Sequence, residues 1–245
     1  MKQQAAYKRV NRAMGKAMND YGMISPKERI LVGVSGGVDS LILLRLLFDL
    51  QKKAPVEFDL LPVYVDPGFD SGFADELETW VGEHFGRIII DPTDHGIVAH
   101  SRENRENPCF LCSRLRRKRL FEIATEQGCA KIALGHHKDD LIETLLINMF
   151  FAGSIGTMKP RQSFFGGEIE IIRPLSYVEK RDIVSLSRSL KFPTFENPCP
   201  SDGSTKRDTV KRVLEELYKE NSHIKGNIFR SMGRVKTDYL LKQTL

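Results

Sequence analysis

No apolar run in these 245 residues approaches the length of about 20 that crosses a bilayer. The basic start, MKQQAAYKRVNRAM, is not followed by the apolar stretch of a secretory leader. The expectation is therefore a cytoplasmic protein with no membrane partner. Cysteine is scarce. Cys109, Cys112, Cys129 and Cys199 are too few and too scattered for a disulfide framework, and in a cytosolic chain the close pair points to metal or redox chemistry. No internal repeat, low-complexity segment or obvious linker is present. A G-x-x-x-x-G-K-[ST] phosphate loop is also missing. Charge is not one-sided: 37 Lys and Arg stand against 32 Asp and Glu, a net of +5. That excess is compatible with a polyanionic partner and equally with a plain solvated surface. Its clustering says more. Arg114, Arg116, Arg117, Lys118 and Arg119 form one group, and Lys206, Arg207, Lys211 and Arg212 another.

What is present is ordinary globular composition, 41% hydrophobic and 28% charged, arranged as strands alternating with helices. Residues 1–24 read as a helix broken by Ser25-Pro26. Residues 29–34 are a short apolar run ending in glycines, the pattern of a buried parallel strand. A helix is expected over 39–51 and a strand over 58–65 with a turn at Asp66-Pro67-Gly68. A helix at 74–85 and a strand at 87–90, stopped by Asp91-Pro92, come next. Further on come a helix at 113–127 with a basic face, a strand at 131–135 and a helix at 139–151. A hairpin at 164–173 around Gly166-Gly167 precedes helices at 178–190 and 205–219 and a helical tail. This alternation predicts an α/β fold: an open, mostly parallel sheet flanked by helices, with a small C-terminal helical extension. The expected division is an N-terminal helical segment (1–24), a main domain (25–190) and an extension carrying Cys199 (191–245).

The segment VGVSGGVDSLILL joins strand to helix through Ser35-Gly36-Gly37. Glycine lets the backbone approach a ligand without a Cβ in the way. The first N–H groups of the helix lack internal partners and favour an anion. Ser35, Asp39 and Ser40 add side-chain groups there, so a phosphate ligand is expected. Asp39 either orients the loop or meets Mg²⁺ bridging phosphate oxygens. An ordinary βα turn with Ser and Asp as caps is the plain alternative. The full string SGGVDS resembles the PP-loop, SGGxDS, of the N-type ATP pyrophosphatases. That resemblance implies cleavage of ATP between the α- and β-phosphates, with AMP left on the substrate and pyrophosphate released.

Cys109 and Cys112, two residues apart, can both ligate one metal centre. No second C-x-x-C pair exists to complete a zinc site, and only Cys199 is a plausible further thiolate. Three thiolates suit a [4Fe–4S] cluster with one iron left open; a redox dithiol or three unconnected cysteines remain alternatives. Cys129, just before a strand, reads as core. Gly135-His136-His137-Lys138-Asp139-Asp140 follows the fourth strand, where the carboxyl ends of strands line a ligand crevice. The first and fourth strands are expected side by side, across the reversal of strand order. His136, Asp139 and Asp140 can meet phosphates, Mg²⁺ or the attacked base; alternatively one Asp caps the helix and His137 packs. Arg114, Arg116 and Arg117 can meet RNA or ATP phosphates, or form a solvated face. Arg173 lines the same crevice or makes a structural ion pair.

In order, CFLCSRLRR, GHHKDDLIETLLINMFFAG, IIRPLSYVEKRDI, KFPTFENPCPSDGS and FRSMGRVKTDYL resemble the motifs of the tRNA 2-thiocytidine synthetase family. The resemblance runs from about Arg29 onward. It implies a [4Fe–4S] cluster on Cys109, Cys112 and Cys199, and thiolation of cytidine 32 of tRNA at its 2-oxygen after adenylation. ATP with Mg²⁺ would be held by Ser35, Gly36, Gly37, Asp39, Ser40, Gly135, His136, Asp139 and Asp140. Adenine and ribose would lie at Tyr64, Val65 and Asp66. The implied catalytic set is Asp39, Asp140 and the three cysteines. A sulfur donor such as a cysteine desulfurase and a homodimer also follow from it. Two positions depart from the pattern: Val38 replaces the usual Lys of the loop, and Asp202 stands where a further Cys is common. Other PP-loop ligases without a cluster, a thiolase of another RNA position or small molecule, and a non-catalytic sensor are the rival readings.

Overall fold

Strand β1 (Arg29–Gly33) is apolar on both sides. Ile30 and Val32 point one way and Leu31 the other, and all three are fully buried. Such a strand needs helices on both faces of its sheet. The computed structural model, which describes residues 2–201 and 206–241, supplies them. The helix α1 (Lys2–Asp20) precedes β1. After it come α2 (Val38–Gln51), β2 (Asp59–Asp66), α3 (Ala74–Phe85), β3 (Ile89–Pro92), α4 (His95–Ala99), α5 (Pro108–Glu126) and β4 (Lys131–Ala133). Then follow α6 (Lys138–Ala152), β5 (Arg161–Phe164), β6 (Ile169–Ile172), α7 (Lys180–Leu190), α8 (Lys206–Glu220) and α9 (Ile224–Ser231). The sheet order is β3-β2-β1-β4-β6-β5, parallel throughout except that β5 runs antiparallel to β6. The expected open, mostly parallel sheet is present, with β1 beside β4 at the reversal of strand order.

The chain divides into two compact units, Met1–His137 with Lys159–Asp202, and Lys138–Met158 with Gly203–Leu245. The first holds the whole sheet. One face packs Ile30, Val32, Tyr64, Ala133 and Ile172 against α1, α2, α3 and α7; the other packs Leu31, Val63, Val65, Ile132 and Ile171 against α5. The second unit is helical. Ile142 of α6 meets Val210 and Leu214 of α8, with Ile228, Phe229 and Met232 around them. These boundaries differ from the expected ones. The α1 stripe Ala6, Val10, Met14 and Ala17 is buried in the same core as α2. The helix α6, expected in the main domain, groups with the C-terminal helices.

Three element boundaries also move. Asp91 and Pro92 do not stop β3 but lie within it, registered with Val65 and Asp66; β3 is an edge strand, where a proline without N–H is tolerated. The helix α5 starts at Pro108, five residues earlier than 113. Asn107 caps it by accepting from the Phe110 N–H at 3.2 Å, and Pro108 occupies the first turn. The start of α7 is delayed to Lys180 by a 3₁₀ turn, Pro174–Tyr177. The hairpin forms as expected, turning through Phe165–Gly167. Thr205, Asp202 and residues 242–245 lie outside the described residues. Among those described, no helix is long and apolar enough to cross a membrane.

Candidate functional site

The chain leaves β1 through Val34, whose N–H donates to Val63 O at 2.9 Å, and turns at Ser35-Gly36-Gly37 into α2. Ser40 Oγ braces the turn. It accepts from the Ser35 N–H at 3.0 Å and donates to Gly37 O at 2.8 Å. Gly37 stands at the N-cap and no side chain satisfies the first N–H groups of α2. The result is a cup of backbone donors with the positive end of the helix dipole behind it. Gly36 has φ +74, and a Cβ there would fall within the ring of Phe73. Gly135, after β4, is held by another closeness: a Cβ would lie 3.0 Å from Asp39 C and Ser40 N.

Asp39 does not stand alone in the loop. Lys180 of α7 donates to both its carboxylate oxygens at 2.7 Å, and Nε2 of the buried His137 is 3.7 Å from Oδ1. Beside them Arg173, also buried, donates from Nε to His136 Nδ1 at 3.3 Å and from Nη1 to Lys159 O. Nδ1 of His136 is thus an acceptor, and its proton sits on Nε2. Burial, with the neighbouring charge of Arg117, lowers the Arg173 pKa to about 10.

Cys109 and Cys112 are the second and fifth residues of α5, not ahead of it, and their i, i+3 spacing sets them on one face. Burial pushes the Cys112 thiol up, Arg116 opposes this, and the charges of Cys199 and Cys109 add to the rise. All three thiols therefore share one neighbourhood within the first unit. The loop carrying Cys199 is fixed by His100. His100 Nδ1 faces Gly96 O at 2.8 Å, while Nε2 faces Ser201 Oγ at 2.8 Å and Cys199 Sγ at 3.9 Å. Cys129 is apart from them, in the core under α5, as expected. Among the described residues no three His, Cys, Asp or Glu side chains converge closely enough to hold a single metal ion. A cluster takes its thiolates on separate irons and needs no such convergence.

Aromatic packing and one nearby charge relate loop and thiols inside this unit. Phe73, against Gly36, stacks on Tyr64 at 5.4 Å and on Phe195 at 5.1 Å. Phe195 belongs to the loop that ends in Cys199, and Arg116 acts on both Tyr64 and Cys112.

A profile of the PP-loop domain matches residues 6–217. A tRNA-cytidine(32) 2-sulfurtransferase of Geobacter sulfurreducens is 40% identical over 238 residues, covering 96% of this chain and 93% of that one. One of Geotalea daltonii is 39% identical over 244 residues, 98% and 97% of the two. This chain belongs to the tRNA-cytidine(32) 2-sulfurtransferase family of PP-loop proteins. Its fold is also that of a U34-tRNA thiolase, NcsA, from Methanococcus maripaludis, solved with its [4Fe–4S] cluster. The TM-score is 0.80 at 22% identity, over 98% of this chain and 81% of that one.

Against the family motifs, the structure sorts the expected residues. Ser35, Gly36, Gly37, Asp39, Ser40, Gly135 and His136 gather around the α2 terminus in the first unit. Tyr64 and Val65 turn their side chains into opposite core faces, leaving only backbone for a ligand. Asp66 Oδ1 closes its own turn by accepting from the Gly68 N–H at 2.9 Å. Asp139 and Asp140 open α6 in the second unit, where they accept from Lys225 at 2.7 Å and Arg207 at 2.8 Å. Arg114 pairs with Glu106 at 2.9 Å, and Arg119 with Asp91 at 2.8 Å. Arg116 and Arg117 have no acidic partner among the described residues. Lys180, Phe73 and His100 escaped sequence reasoning. Each is far in sequence from the group it touches, and only the position of Lys180 within the YVEKRDI motif could have pointed to it.

Proposed function

We propose that this protein thiolates tRNA in the cytoplasm, adenylating the 2-oxygen of cytidine 32 with ATP and exchanging that oxygen for sulfur. The observation that carries the reading is the packing of Phe73 on Gly36 of the loop and on Phe195, four residues before Cys199, with Arg116 near enough to act electrostatically on both Tyr64 and Cys112. It ties an ATP-activating loop to three thiols in one unit. The names of the relatives at about 40% identity agree with it.

In this reading the N–H groups of Gly36, Gly37, Val38 and Asp39 receive the ATP phosphates. They stabilise the charge that builds on pyrophosphate as the bond between Pα and its bridging oxygen breaks. Lys180 neutralises Asp39, so the carboxylate does not repel the phosphates; Mg²⁺ arrives with ATP. Arg173 supplies a second cationic group. Cys109, Cys112 and Cys199 would hold a [4Fe–4S] cluster, and the chemistry it would supply is the activation of sulfur. Arg116, next to Cys112, favours its thiolate. Sulfur at the sulfide level bonds to C2 as the C2–O bond breaks, and AMP leaves with that oxygen; sulfur delivered as a persulfide first takes two electrons from a thiol reductant. Asp139 and Asp140 keep their partners in the second unit, and the reading asks no contact with ATP of them. A cysteine desulfurase as sulfur source and a homodimer complete the proposal.

The test is nucleoside mass spectrometry of tRNA from a deletion strain complemented with wild type or Cys109→Ala. Loss of 2-thiocytidine, restored by wild type alone, is expected. Unchanged 2-thiocytidine in the deletion strain would sink the proposal, and loss of a thiolated uridine instead would reassign the target.

A further inference from the structure

Beyond the cysteines, α5 runs alongside the β5–β6 hairpin and bounds a cavity of about 590 Å³. That volume suits a small ligand. Phe121 of α5 and Phe165 at the hairpin tip form its aromatic corner, their rings 5.1 Å apart at 85°. Phe165 is 60% exposed and held at φ +51, a conformation that disfavours any residue with a Cβ. Burial alone does not explain an aromatic ring kept outward on such a backbone. The rim carries three cations, Arg114, Arg117 and Lys118, and two acids, Glu122 and Glu168. Arg114 is engaged by Glu106, and Lys118 lies 3.7 Å from Glu122. Arg117 is the rim cation with no acidic partner among the described residues.

We infer that this cavity receives an unpaired nucleobase of the bound RNA, stacked on Phe165, with its phosphate on Arg117. The inference rests on the reading that tRNA is the substrate, and adds a second point of attachment outside the reacting site. A duplex has no free base face to offer an aromatic ring, whereas a loop nucleotide does. A neutral apolar partner would leave Arg117 unanswered, while a phosphate answers it.

The experiment measures binding of a tRNA transcript to wild type, Phe165→Ala, Phe165→Trp and Arg117→Ala at several salt concentrations. ATP affinity of Phe165→Ala serves as the check on folding. The sequence has one tryptophan, Trp80, so Phe165→Trp adds a reporter at the cavity itself. Phe165→Ala is expected to weaken tRNA binding about 10-fold with ATP affinity unchanged. Phe165→Trp restores binding, and its added emission is quenched by tRNA. Arg117→Ala weakens binding and lowers the salt slope by about 1. Wild-type binding with an unaffected Phe165→Ala and unchanged Phe165→Trp emission would overturn the inference and leave the proposed function standing. A Phe165→Ala protein that binds tRNA normally but sediments differently would assign the cavity to a second copy, which also overturns it. Failure of wild type to bind tRNA at all would remove the substrate reading along with it.

Discussion

The ATP loop and the thiol group share one unit but are built differently. The loop is a single run of six residues, Ser35 to Ser40, whose shape is set by hydrogen bonds within the run. The thiols come from a helix turn at 109–112 and a loop at 199, and they meet only because distant elements fold together. Local construction makes a site rigid before any ligand arrives; remote construction makes it depend on the rest of the fold. The two should therefore fail in different ways.

The largest effect is expected at the thiols. Cys112→Ser should abolish bound iron and tRNA thiolation while ATP affinity survives. Cys129→Ser should keep its iron, and cost roughly 1–2 kcal/mol of stability for a hydroxyl placed in the core. Iron analysis of anaerobically purified variants, with urea unfolding, reads both. Full iron in Cys112→Ser would break the distinction drawn here.

Gly36→Ala tests the loop. Its methyl group must displace Phe73, and the residue must hold a positive φ, so the N–H cup is lost. Release of pyrophosphate should drop about 100-fold, the scale seen when a donor to developing negative charge is removed. Bound iron should not change. Gly82→Ala is the control, since nothing lies within 4 Å of a Cβ there. As a helix-interior change it should stabilise by about 0.5–1 kcal/mol.

Lys180→Met probes where the local loop leans on a remote element. Asp39 would lose the ammonium group that meets both its oxygens at 2.7 Å. An uncompensated carboxylate beside the phosphates should raise the KM for ATP about 10-fold, with a smaller change in kcat. An unchanged KM would mean that Asp39 is directed away from ATP.

These differences explain what could be read from the sequence. The strand order around β1 and β4 was legible because apolar runs, glycine turns and helix periodicity are local signals. SGGVDS was legible for the same reason. Asn107-Pro108, a cap followed by a first-turn proline, was a local signal too. It marks the α5 start that the expected 113 boundary passed over, and with it the placement of Cys109 and Cys112 on a helix. The pairings Lys180 with Asp39, His100 with Cys199 and Phe73 with Gly36 carry no local pattern. Each is a meeting of segments tens of residues apart. The grouping of α6 with α8 and α9 was hidden likewise, since its apolar residues suit either partner.

The smallest effect concerns whether the acids of α6 are structural, in contrast to Asp39 in the loop. Glu143 is buried, its side chain 7% exposed, and accepts from Arg207 at 3.1 Å. Burial pushes its pKa up to about 7, Arg207 opposes that, and Asp140 and Asp139 reinforce it. Between the ordinary carboxylate range and about 7, the folded state then binds more protons than the unfolded state. Stability contributed by this group is complete at low pH and is lost as pH rises through that window. The loss should reach roughly 1–3 kcal/mol by pH 8. Glu143→Gln, neutral at every pH, should remove that slope without altering pyrophosphate release. Urea midpoints at pH 5 and pH 8, with amide exchange of α6, make the measurement. A variant that loses stability with pH as steeply as wild type would place the titration elsewhere, and Glu143 would be a carboxylate held ionised by Arg207 throughout.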